Sequence, residues 1–545
     1  MKRCLTLILV LTLALSCAAV PAFAYVVGSE EPQHTLSMLV QESHSSSYLK
    51  NGLADYEEYP VWQAFEEMLV EAGIQLDIEL ISAEQYQVVV QTRMASATNL
   101  PDIVEATPLG STGIVSIAKY GVVHDLIPLI EQYSNGNIMN FYENEFPFAK
   151  AVSLTPEGNL YWFTSMYRKE YEGKSSPTGV TFSMRKDWLD KLGLAVPTTI
   201  DEFADALIAF REQDANGNGQ QDEVLSFDLS TFGSVLPQMF GLGTSAISVD
   251  VANRQIVSPW LQDGIKPYIE FVRKLVAAGV IDPAMISSAE IANQRRAENR
   301  VGAAWTWVTT SDINLLTGVT DENAEAVTLM PINAMEDQPL YVYSEEPQGT
   351  FNYFVITNQC DDLEGAIKLF DLFYTEEFAN LTLYGVEGVT YVVTEDGVKA
   401  LMENVDPTMT VDRKFEEKRA NGVDLWNNIL PRVQFMDLRR ELLTIDEAAA
   451  DVTVAMAQME HWYPMYTNAF LAMGNEEENE RVNELLNGIN TYSTELLTKL
   501  CLDQLSLDDW DSYLEELEAL GLSEVMALYQ TRLDRYFEIM DGADA

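Results

Sequence analysis

Ten residues, Asp214-Ala-Asn-Gly-Asn-Gly-Gln-Gln-Asp-Glu223, carry oxygen-bearing side chains at loop positions 1, 3, 5, 9 and 10 and glycines at 4 and 6. Hard cations such as Ca²⁺ take about six to eight oxygen ligands at short range, and a glycine at position 6 permits the sharp turn that gathers them. The start follows the EF-hand loop pattern, but position 12, where a bidentate Glu is usual, is Leu225. Asp222 and Glu223 would then supply the late carboxylates, and Gln220 its backbone carbonyl. The competing reading is a surface turn, because Asn, Asp and Gly are ordinary turn residues. Alternating oxygen donors that close on two adjacent carboxylates exceed what a turn needs. The loop has no His or Cys to favour a transition metal, so the expected occupant is a hard, structural ion.

Little else in the chain has the spacing of a reactive centre. The four histidines (His34, His44, His124 and His461) are scattered, with no HExxH helix and no CxxC pair, so zinc is not expected. No G-x-S-x-G elbow, P-loop or metalloprotease motif occurs. Glycoside hydrolysis needs two carboxylates flanking one bond. With 84 Asp and Glu residues, chance pairs are guaranteed and argue nothing.

The elements that must position the loop follow an α/β pattern. Residues 36–40 read as an apolar strand, 60–72 as an amphipathic helix, 74–81 as an alternating strand, 83–95 as helix and 101–105 as strand. This alternation predicts a largely parallel sheet covered by helices. Thr199-Ile-Asp-Glu202 is a capping box that opens a helix with Phe203, Leu207 and Phe210 on one face, just ahead of the loop. Farther on, 267–278 reads as helix, 300–307 as a buried strand ending in aromatics, 353–357 as strand and 363–374 as helix. From Leu430 the tail reads as mostly helical and acidic, with Trp510, Leu514 and Leu517 packing inward.

At 545 residues the chain exceeds one ordinary core, so two domains are expected. An apolar content of 47% with 10% aromatics is that of a folded chain. The formal net charge of −51 argues against nucleic acid and anionic membrane surfaces as partners, and disfavours a polyanionic ligand. Residues 1–24 read as a secretory signal: Lys2 and Arg3, an apolar run from Leu5 to Leu15, and Ala22-Phe23-Ala24 as the cleavage site. The run is shorter than the roughly 20 residues a bilayer needs. Cys17 raises lipid anchoring as a less favoured alternative, since Ala14 stands where lipoprotein signals usually place Leu. Either way the expected location is extracytoplasmic, secreted or at the cell surface. Cleavage after Ala24 leaves Cys360 and Cys501, whose pairing the sequence leaves open.

The segment Arg185-Lys-Asp-Trp-Leu-Asp-Lys-Leu-Gly-Leu-Ala-Val-Pro-Thr-Thr-Ile-Asp-Glu-Phe203, followed by the 214–223 loop, resembles family 1 of the extracellular solute-binding proteins of ABC importers, which includes maltose- and alginate-binding proteins. Pro101-Asp-Ile-Val, Gly121–Ile130, Gly158-Asn-Leu-Tyr-Trp162, Val301–Trp307, Gly385-Val-Glu-Gly388 and the region of Trp510 follow the family's landmarks in order. The resemblance implies a two-lobed α/β fold of the type II periplasmic-binding-protein kind, with three hinge crossings and a helical C-terminal tail. Crossings near 165–175, 345–350 and 395–405 would make lobe 1 from 25–168 plus 349–400, and lobe 2 from 169–348 plus 401–545. By position the resemblance makes Asp214, Asn216, Asn218, Gln220 (through its carbonyl), Asp222 and Glu223 ligands of a structural Ca²⁺.

A cleft between lobes is a preferred ligand site, and hinge closure buries the solute there. Sugars want aromatic faces and fixed polar groups, so Trp162, Tyr167, Trp305, Trp307 and Glu387 are the expected ligand contacts. Trp305 and Trp307 match a "PWAW"-like segment of the family without its Pro. They alternate on one strand, so both face one side, which could also be core. Of Tyr161 and Trp162, which point to opposite faces, one is expected in the core. Glu387, between glycines, could be a turn residue. The expected function is non-catalytic: a monomeric component of an ABC importer that captures an oligosaccharide and delivers it to a membrane permease. A secreted glycoside hydrolase and an extracellular ligand sensor on the same fold are the alternatives.

Overall fold

The computed structural model describes residues 23–41, 59–172, 174–175, 180–227, 235–243, 245–283, 289–308, 313–316, 318–335, 341–342, 348–402, 430–443, 447–458, 463–466 and 470–543. The signal segment through Ala22, with Cys17, lies outside them. Two compact units divide the chain: Met1–Arg168 with Gly349–Met436, and Lys169–Gln348 with Asp437–Ala545. The chain therefore passes between units three times. The third passage follows Met436, beyond the 395–405 read from the sequence. The reason is pairing: Met166 N–H donates to the Arg432 carbonyl at 2.7 Å, and Arg432 N–H to Ser165 Oγ at 3.0 Å. Those bonds tie residues 430–436 to the strand Phe163–Tyr171 and so to the first unit.

In the first unit the hydrophobic runs form the strands their period implies. His34–Gln41 is paired in parallel with both Ile74–Ile81 and Ile103–Glu105. The sheet is mixed, not largely parallel. Phe23–Gly28 lies antiparallel to Ile74–Ile81 on one side, and Gln348–Ile356 antiparallel to Ile103–Glu105 on the other. The helix Pro60–Glu71 buries Val61, Trp62, Phe65, Met68 and Leu69, the stripe its 3.6 period marks. Phe65 meets Phe373 and Phe378 with ring centroids 6.3 and 5.9 Å apart.

The second unit is built on a sheet ordered Ala326–Thr328, Val180–Arg185, Val301–Trp307, Val224–Leu225. The helix Ile200–Glu212 packs Phe203 on Phe182 (5.1 Å) and Phe210 on Trp188 (5.4 Å). Its capping box forms as read: Glu202 N–H donates to Thr199 Oγ1 at 3.2 Å, and Thr199 N–H to Glu202 Oε2 at 3.2 Å. The tail is mostly helical, as read (Arg439–Leu442, Glu447–Ala457, Glu476–Cys501, Trp510–Ala519 and Leu522–Ala543), with Val433–Asp437 and Tyr463–Tyr466 as strands. Trp510 and Leu517 are buried, and Trp260, 6.0 Å from Trp510, donates to Ser493 Oγ at 2.9 Å. Cys360 and Cys501 lie in different units as buried free thiols, each pushed up to about 12 by burial. Among the described residues no helix is long and apolar enough to cross a membrane.

Candidate functional site

The 214–223 loop runs from the end of the Ile200–Glu212 helix to the strand Val224–Leu225, so both its ends are fixed by the core. Asp214 stands in the left-handed region (φ 51°), and Gly219, at position 6, has φ 83°, where a Cβ would be strained. The Gly219 N–H donates to Asp214 Oδ2 at 2.9 Å, and the N–H groups of Asn218 and Gln220 to Asn216 Oδ1 (2.9 Å) and Asn218 Oδ1 (2.7 Å). These Asx turns curl the loop around its own side-chain oxygens. Glu223 is buried: its Oε1 accepts from Asn216 N–H at 2.9 Å, its Oε2 from Asp222 N–H at 3.1 Å, and burial raises its pKa.

Does this loop fit a calcium ion? Among the described residues no group of three His, Cys, Asp or Glu side chains is gathered as a metal-binding set, so carboxylates alone would not hold one here. The mixed oxygen donors do fit. Asp214 Oδ1 is buried without a hydrogen-bond partner, a costly state for a carboxylate oxygen that a cation would relieve. The amide groups of Asn216 and Asn218 both donate to Asp222 Oδ1, at 3.2 and 3.0 Å, where positive charge is wanted.

The expected ligand residues fall on both units. In the second, Val301–Trp307 pairs antiparallel with Val180–Arg185, setting Trp305 opposite Phe182 and Trp307 opposite Val180. Every other residue of that strand through Thr306 is buried, yet Trp305 is 42% exposed; Trp307 is half-buried. Their rings stand edge-on, 6.1 Å apart. Lys169, which the sequence did not mark, holds its Nζ 5.9 Å from the Trp307 ring.

In the first unit Trp162 is buried and its Nε1 has no hydrogen-bond partner. Its ring lies 5.3 Å from Tyr353. Tyr167 is half-buried, 6.0 Å from Phe351, which the Arg432 guanidinium covers at 5.3 Å. Phe351 and Tyr353 were missed, although their period-2 spacing on one strand was the available signal. Glu387 is exposed in a turn that Thr390 ties: Val386 N–H donates to Thr390 Oγ1 at 2.7 Å, and that hydroxyl to the Tyr384 carbonyl at 2.7 Å.

One further group was not legible. Glu105, the last residue of a parallel strand, is buried, and its Oε1 accepts from Thr107 N–H at 3.1 Å and from the Thr107 hydroxyl. The same Thr107 oxygen accepts from Tyr353 N–H at 2.8 Å. Burial raises the carboxyl to about 7, against the hydrogen bonds from Thr107. Because the folded value exceeds the unfolded one, the fold keeps a proton that the unfolded chain releases. Stability from this group is therefore complete below about pH 4.5 and falls through about pH 7, by about 3 kcal/mol. Glu105→Gln is expected to melt higher than wild type at pH 8 and to match it at pH 4.5. Equal pH profiles would show that Glu105 ionises freely.

No protein-family model matches the chain. The fold is that of extracellular solute-binding proteins: an alginate-binding protein, AlgQ2, solved without calcium ion, superposes with a TM-score of 0.63 at 20% identity, covering 93% of this chain and 99% of that one. An EF-hand mutant of the Streptococcus pneumoniae substrate-binding protein FusA, solved with fructo-nystose, superposes at 0.67 with 20% identity, covering 92% and 99%. In sequence the chain is 25% identical over 459 residues, 81% of each chain, to the fructooligosaccharide ABC transporter substrate-binding protein FusA of Streptococcus pneumoniae serotype 4. The chain is thus a homologue of the ABC-transporter substrate-binding proteins, as the resemblance in its motifs implied.

Proposed function

We propose that this chain is the extracytoplasmic solute-binding component of an ABC importer, and that it captures a neutral oligosaccharide for delivery to a membrane permease. Trp305 carries this reading. Leaving a Trp 42% exposed on an otherwise buried strand forgoes the burial that a core residue gains, and provides an aromatic face for a sugar ring. Trp307 adjoins it in the second unit; in the first unit the candidates are Tyr167, the buried Trp162 with its unpartnered Nε1, and the exposed Glu387. The relationship to FusA supports the carbohydrate class. A net charge of −51 disfavours a polyuronate and favours a neutral chain. Nothing in this role requires bond cleavage, so the function is binding, not catalysis.

The loop is the structural Ca²⁺ site in this reading, with Asp214, Asn216, Asn218, Asp222 and Glu223 offering side-chain oxygens and Gln220 its carbonyl. The orphaned Asp214 Oδ1 and the all-oxygen donor set support it. Thermal-shift measurement of the mature protein against fructooligosaccharides, other neutral oligosaccharides and uronate oligomers tests the solute. A neutral binder at a hundredfold excess over its Kd is expected to add about 2.7 kcal/mol. A response confined to uronates would overturn the neutral class, and steady hydrolysis of the added glycan would overturn the binding role.

A further inference from the structure

The calcium loop is surrounded by positive charge in a chain that has little: 33 Lys and Arg against 84 Asp and Glu. Lys191 Nζ donates to the Ala215 and Asp214 carbonyls at 2.7 and 3.3 Å, and Arg211 donates to the Glu223 carbonyl at 3.2 Å. These two touch backbone only. Arg300 differs, because its Nε lies 2.9 Å from Asp222 Oδ2 and also donates to the Asp222 carbonyl at 3.1 Å. It thus holds a carboxylate that the metal would need.

Arg300 is also anchored at its other contacts. Its Nη1 donates to Glu298 Oε2 at 3.0 Å, and its carbonyl accepts from Val224 N–H at 2.8 Å, one residue past the loop. Both partners of the Arg300–Asp222 pair keep only 18% of their side-chain exposure, so the pair is poorly screened by water. A guanidinium at this place balances the carboxylates when no metal is present and repels a divalent ion that enters.

We propose that Arg300 is a built-in counter-cation of the 214–223 loop, which keeps the loop folded when empty and lowers its affinity for calcium by competing for Asp222. The proposal rests on the reading of the loop as a calcium site. It makes that site adjustable: the protein tolerates calcium loss without losing the loop, and residue 300 sets the concentration at which calcium binds.

Calcium titration calorimetry, with melts in calcium and in chelator, compares the mature wild type with Arg300→Gln and Arg300→Lys. Removing a charge at a few ångströms is expected to tighten calcium binding of Arg300→Gln by about tenfold. The same variant should melt lower than wild type in chelator and gain more on adding calcium. Arg300→Lys keeps the charge but loses the planar fork, and should fall between the two; it serves as the test should Arg300→Gln not fold. Variants that bind calcium no more tightly than a calcium-binding wild type would overturn the proposal and leave the loop a calcium site. If neither wild type nor variants respond to calcium, the metal reading itself fails, and Arg300 is a plain ion pair.

Discussion

Stripping calcium from the mature protein with excess chelator is expected to lower one thermal transition and leave another in place. Two units with separate cores need not melt as one, and the loop belongs entirely to the second. A metal that binds only the folded state adds about 4 kcal/mol where its free concentration is a thousandfold above Kd, and removing it withdraws that amount. Asp214→Ala should abolish the difference, because it deletes both the orphaned Oδ1 and the Oδ2 that accepts from Gly219 N–H. Oligosaccharide affinity should stay nearly intact, since the loop supports the sheet and does not carry the exposed tryptophan. Scanning calorimetry with and without chelator reads all of this. An unchanged profile would reduce the loop to a turn. Lost solute binding in a still-folded protein would move the ion to the solute site.

The loop was legible because its meaning is local: donor type, spacing and the glycine that turns it all lie within ten residues. The Thr199–Glu202 capping box and the strand bearing Trp305 and Trp307 were readable for the same reason. What escaped depends on partners distant in sequence. Arg300 reaches Asp222 from 78 positions away, and nothing near either residue announces the pairing. Tyr353 meets Trp162, the residue just before the strand Phe163–Tyr171, only because the fold brings segments far apart in the chain together. Glu105 is a solvated acid by composition and becomes a buried one through Thr107, Tyr86 and the strand beside it. The last passage between units, near 395–405 by the resemblance, follows Met436 instead, because residues 391–401 turn back as a short ribbon, Tyr391–Val393 with Lys399–Leu401, and the chain stays in the first unit beyond it. The strand that crosses is Val433–Asp437, beyond it.

Trp162 and Trp305 should answer the same substitution in opposite ways. Trp162 is 1% exposed and packs on Tyr353, so Trp162→Ala opens a large cavity in the first unit. The expected cost is about 3–5 kcal/mol of that unit's stability, whatever its effect on binding. Trp305, 42% exposed, has already forgone much of that burial, and Trp305→Ala should leave the second unit's melt nearly unchanged. Its loss should instead appear in oligosaccharide affinity, by 2 kcal/mol or more on the order of other aromatic hot spots, roughly a thirtyfold rise in Kd. Calorimetric melts and binding titrations on the two variants separate the roles, because only Trp162→Ala is expected to cost stability. A Trp305→Ala protein that binds like wild type would remove the observation on which the sugar-binding face rests, whereas one that fails to fold would make Trp305 a core residue despite its exposure.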